Sequence, residues 1–168
     1  MLNIEDCMKT KILLDEINEA YPYMSMPASM DLTVHTHGCE YCADVRERLE
    51  AYRGLELDKT VYIFMRRNWG TLSPVGFLWF IPLYLRYCIS LQWDDAEELI
   101  YFLVYSFDPL PESEDSSFIR LSLLSVKQIK CLIYFLEWCD ENENYYESEV
   151  DTIKAFNFLH RLLMLKSS

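Results

Sequence analysis

The sequence predicts an all-α protein: a single domain spanning residues 1–168, with about six or seven helices bundled around a central apolar one. Three observations carry that expectation. Apolar side chains recur at helical spacing through most of the chain. Only 4 Gly and 6 Pro occur in 168 residues, too few for a β-rich or disordered chain. The one segment with strand propensity, Thr60 to Phe64, has no evident partner strand, and a lone strand is not stable. The hydrophobic content of 51%, with 15% aromatic, is ample for a core. A domain of this length buries roughly 68–70% of its unfolded surface, so it needs no staples.

The elements follow in order. Residues 3–20 read as a helix with Ile4, Met8, Ile12 and Ile17 on one face and Leu13 widening it. The stretch from Tyr21, with two prolines and small polar residues, is a linker. Residues 40–53 read as a helix with a charged outer face, stopped at Gly54. Asp58 is placed to cap a helix over 59–68 that ends at Gly70. Ser73 caps the next helix and Pro74 opens it; the segment through Leu91 is apolar nearly all round and is the expected centre. Asp94 begins a helix to about Ser106, and residues 108–117 read as an acidic loop. Ser125 and Gln128 have capping-box spacing for a helix over 126–140. A last helix covers about 146–165, with Ile153, Phe156, Leu159, His160 and Leu163 spaced for burial.

Charge narrows the function. There are 27 Asp and Glu against 15 Lys and Arg, a formal net charge of −12. Phosphate binding needs the opposite sign, so no nucleic acid is expected, and a basic protein is the better electrostatic match. Residues 87–168 hold 15 of the acids and only 6 bases. The first residues, MLNIEDCMKTK, carry acids where a secretory leader carries bases. Within the uncharged run between Arg67 and Arg86, the stretch from Gly70 to Leu85 is 16 residues long and interrupted by Pro74 and Pro82, whereas about 20 apolar residues span a bilayer. A cytoplasmic protein without membrane contact is expected, with its six cysteines reduced. Cys7, Cys88, Cys131 and Cys139 lie in apolar helical patterns and are expected to fill the core.

Two features carry candidate chemistry. The first is the patch His35, His37, Cys39 and Cys42, four soft ligands within eight residues at a spacing zinc can use. No other cofactor is expected. Zinc sites more often draw on two separated ligand pairs, and the structural alternative is two capping or buried thiols beside exposed histidines. The second feature is the set of acidic runs at 94–98, 108–115 and 137–151. Any one run is most simply a solvated surface. Three in one half of the chain point to an acidic binding face, with Glu112, Glu114, Asp115, Asp140, Glu141 and Glu143 as its charges and Tyr145 and Tyr146 as anchors. Catalytic signatures are missing. There is no Gly-x-Ser-x-Gly elbow and no phosphate-cradling Gly-rich loop, and Asp140 onward lacks calcium-loop spacing. No enzyme is expected; a Cys or His nucleophile, such as Cys131 paired with His160, is the arrangement left open.

The order of motifs resembles a bacterial family of small helical proteins of unknown function. The resemblance rests on His37-Gly38-Cys39-Glu40-Tyr41-Cys42, on Leu72-Ser73-Pro74-Val75-Gly76-Phe77 running into Phe80-Ile81-Pro82-Leu83-Tyr84-Leu85-Arg86, and on the helix from Leu124-Ser125 to Leu136. It covers roughly residues 35–165 and implies a helical fold without implying an activity. In general character the chain is also similar to immunity proteins of contact-dependent growth-inhibition toxins. That likeness implies a small acidic protein that neutralises a basic toxin domain, such as a nuclease, by occluding its active site.

Overall fold

The computed structural model of the chain describes residues 4–91, 93–141 and 149–168. Among these residues the protein is all-α, with eight α-helices, three short 3₁₀ turns and no strand beyond an isolated bridge between Thr33 and Leu72. None of these helices is long and apolar enough to cross a membrane. The described residues form two compact bodies, one from within residues 1–23, 82–108 and 124–168, the other of residues 24–81 and 109–123.

The first body contains α1 (Ile4–Ala20), α5 (Trp93–Ser106), α7 (Val126–Glu141), α8 (Glu149–Ser167) and the part of α4 (Pro74–Ser90) from Pro82 onward. Helix α7 packs against both α1 and α8, and α5 packs on α8. The capping box forms as expected: Ser125 Oγ accepts from the Gln128 N–H at 3.2 Å, and Gln128 Oε1 accepts from the Ser125 N–H at 2.9 Å. Inside, Tyr84 donates its hydroxyl proton to the Leu99 carbonyl at 3.0 Å, which satisfies a buried polar atom.

Two helices turn a different face inward from the one expected. In α1 Leu13 and Ile17 are buried as expected and Ala20 joins them, while Met8 and Ile12 are exposed; the Ile4 side chain lies outside the described residues. In α8 the buried face is Thr152, Ala155, Phe158, Leu159 and Leu162. Of the five residues expected there, Leu159 is buried, Phe156 and Leu163 are half-buried, and Ile153 and His160 are exposed. Apolar residues crowd almost every side of residues 156–165, so period alone does not fix the phase. The small side chains at 152 and 155 go inside instead.

The second body contains α2 (Glu40–Glu50), α3 (Lys59–Met65), α6 (Glu114–Arg120) and the first half of α4. Asp58 caps α3 by accepting the Thr60 and Val61 N–H groups at 2.9 and 3.3 Å. The helix ends at Met65, ahead of a 3₁₀ turn over Trp69–Thr71 that closes the gap to α4. Trp69 lies 5.5 Å from Phe77 and 5.4 Å from Phe80, and Tyr62 stacks on Phe80 at 6.0 Å, forming the aromatic centre of this body. The expected acidic loop is partly ordered: a 3₁₀ turn at Pro111–Ser113 leads into α6. Glu114 and Asp115 in the first turn of α6 and Arg120 in its last turn complement the helix dipole, which explains a helix where composition reads as loop.

Segment 31–34 is fastened to the start of α4. The Ser73 N–H donates to the Leu32 carbonyl at 3.0 Å, the Val34 N–H donates to the Thr71 carbonyl at 2.9 Å, and the Ser73 hydroxyl donates to the Asp31 carbonyl. Ser73 also caps α4 by accepting the Gly76 N–H at 3.0 Å. A Cβ on Gly76 would lie 2.2 Å from the Leu32 carbonyl oxygen, so residue 76 has to be glycine. Gly76→Ala is expected to cost about 1–3 kcal/mol in denaturant unfolding, since backbone has to move. Gly70→Ala, whose Cβ would meet nothing within 4 Å, is the control; equal effects of the two substitutions would refute the close approach.

Candidate metal centre

The His/Cys patch is built at the entrance to α2. Cys39 is the N-cap residue, extended at φ −122 and ψ 109, and its sulfur accepts the Cys42 N–H at 3.3 Å. Gly38 precedes it at φ 74, a left-handed turn that joins the histidine segment to the helix. Cys42, one turn in, is buried; Cys39 is half-buried and His35 is exposed. The Cys42 sulfur lies 3.7 Å from His35 Nδ1.

The ligand atoms of His35, Cys39 and Cys42 all lie within 4.8 Å of one another. Zinc bonds of about 2.3 Å to sulfur and 2.0–2.1 Å to nitrogen put tetrahedral neighbours roughly 3.6–3.8 Å apart. The 3.7 Å between Cys42 and His35 already matches that edge. The three residues therefore fit a soft divalent ion with sub-ångström to ångström closure. His37 lines the same cleft, about 360 Å³ and bordered also by Gly38, Glu40 and Tyr41, but it is not one of the gathered three.

The sequence places Arg46 on the solvated face of α2 with Glu47, Arg48 and Glu50, but it is half-buried. Its guanidinium donates to Thr33 Oγ1 and to the His35 carbonyl at 2.6 Å each, and to the Thr36 carbonyl at 3.2 Å. One planar fork thus ties the histidine segment to the helix that carries both thiols. The available signal was its position, one helical turn after Cys42.

The six cysteines separate by environment. Donation from the Cys42 thiol and from the Cys42 N–H lowers the Cys39 pKa, while burial, with that same donated bond, raises Cys42. Burial pushes Cys131 up to about 12 and raises Cys88 and Cys139 as well. These three fill the core as expected, but Cys7 is exposed. Cys131 is thus a buried, protonated thiol and His160 is exposed, a poor basis for a nucleophilic pair.

The acidic candidates are distributed over both bodies. Glu112 and Asp115 are exposed and Glu114 is half-buried, at the turn into α6 in the second body. Asp140 and Glu141 are exposed in the last turn of α7 in the first body, where Glu141 pairs with Lys9 at 3.0 Å. Glu143, Tyr145 and Tyr146 lie outside the described residues.

Arg46→Ala is expected to cost about 1.5–3 kcal/mol, the range for hydrogen bonds to a charged donor. Arg46→Lys should recover only part of it, because a lysine cannot reproduce the fork. Urea unfolding of the three proteins checks this, and a full recovery by lysine would contradict the geometry.

No family model matches the chain, and no curated protein and no solved structure matches it.

Proposed function

We propose that this chain is a zinc-dependent structural or regulatory protein whose metal sits on His35, Cys39 and Cys42. The observation that carries the reading is the convergence of these three ligand atoms within 4.8 Å at one helix start. Two sulfurs and an imidazole are the donors zinc prefers. The supporting contacts are of the kind that tune metal ligands: the Cys42 N–H points at the Cys39 sulfur, and Arg46 holds the His35 backbone. Purified protein is expected to carry one equivalent of zinc by elemental analysis. Cys39→Ser and His35→Ala should each lower zinc affinity 10-fold or more in competition with a chromophoric chelator. Protein that takes up no zinc, or variants that bind as tightly as the parent, would end this reading.

A second reading is an immunity or inhibitor protein that occupies the phosphate-binding cleft of a basic toxin nuclease. It is favoured by the net charge of −12 and by the exposure of Glu112, Asp115, Asp140 and Glu141. Carboxylates of this kind act mainly on association rate, through long-range steering. Reversing Glu112, Glu114 and Asp115, at the turn into α6, to lysine is expected to slow association with a basic cognate nuclease at least 10-fold at low salt, with a smaller effect at high salt. Stopped-flow rates that do not change would remove the acidic face from consideration.

A further inference from the structure

We infer that the fourth coordination position of this centre is open and takes a monodentate soft donor from solution, a thiolate or an imidazole. The inference rests on the zinc reading above, in its regulatory form, and specifies what that site binds. Three protein ligands plus one open position is the set that reactive zinc sites use, whereas purely structural sites are closed by a fourth side chain.

The residues at hand for closing the site are His37 and Glu40, which border the cleft. Neither contributes an atom to the gathered group. The backbone is anchored on both sides of His37. Upstream, the carbonyls of His35 and Thr36 are both bound by the Arg46 guanidinium. Downstream, Gly38 is committed to the φ 74 turn that places Cys39 as the N-cap. Glu40 is the first residue of α2, and its backbone is fixed in the helix.

The approach to the metal is through the cleft itself, about 360 Å³ and bordered by the exposed His35, His37 and Tyr41. That volume admits a small molecule or a single side chain. The charge balance sets the ligand class. Two thiolates cancel the dication and a neutral imidazole adds nothing, so a neutral or singly charged donor suffices. Two sulfurs already on the ion favour a soft one.

The test uses cobalt(II) in place of zinc, since its visible bands report tetrahedral coordination and thiolate ligation directly. Full-length protein and the His37→Ala/Glu40→Gln variant are loaded with one equivalent and titrated with imidazole and with a small monothiol. The expected result is a tetrahedral spectrum in both proteins, with bands that shift saturably on titration to the same end point. Loss of the tetrahedral bands in the variant, or bands in the parent protein that neither ligand moves, would show a site closed by a side chain and overturn the inference while leaving the metal reading standing. Failure of the parent protein to bind cobalt would overturn both. Titration of the parent protein reads the open position even if the variant folds poorly.

Discussion

The candidate site depends on how segment 31–36 is clamped. On one side its backbone rests on the start of α4, so close that the Leu32 carbonyl oxygen occupies the space a side chain on residue 76 would need. On the other side Arg46 of α2 grips Thr33, His35 and Thr36. Between these two attachments the segment has little freedom, and His35 is presented to the thiols at the beginning of α2. The glycine supplies closeness and the arginine supplies register. Neither residue is among the three gathered, and on the proposed zinc reading both support the segment that carries His35.

The sequence made the helix starts legible because capping is local chemistry. Asp58, Ser73 and the Ser125–Gln128 pair each satisfy N–H groups two or three residues on, so spacing alone identifies them. Helix faces were less legible. Helices α1 and α8 carry apolar residues on more than one side, and only the neighbouring helices decide which side is covered. Met8, Ile12 and Ile153 are exposed for that reason although their spacing fits burial. Helix α6 was hidden by its acidic composition, which reads as loop until the dipole is considered.

The site itself was half legible. Cys39, Cys42 and His35 were visible as a motif because they lie within eight residues. That His37 stands outside the gathered group was not visible, since spacing alone treats the two histidines alike. The remaining cysteines show the opposite case. Cys88, Cys131 and Cys139 lie in apolar helical patterns and are buried as small hydrophobic fillers, as those patterns imply, whereas Cys7, in a similar pattern, is exposed. Both bodies contain acidic candidates, so charge spread along the chain says less about a binding face than the cleft at α2 says about a ligand.

The compactness of the ligand set in the sequence has a thermodynamic consequence. Residues 35 to 42 form a loop of eight residues, and closing so short a loop costs little chain entropy even in a denatured polypeptide. A chelating motif of this kind remains a chelator when the fold is lost. Linkage then sets the stabilisation by the ratio of folded to unfolded affinities, so tight binding can coexist with a small gain in stability. The work of Arg46 and Gly76 is to create that ratio. On the proposed zinc reading they would pre-arrange the three donors in the native state, a saving that the denatured chain would forgo on capturing an ion.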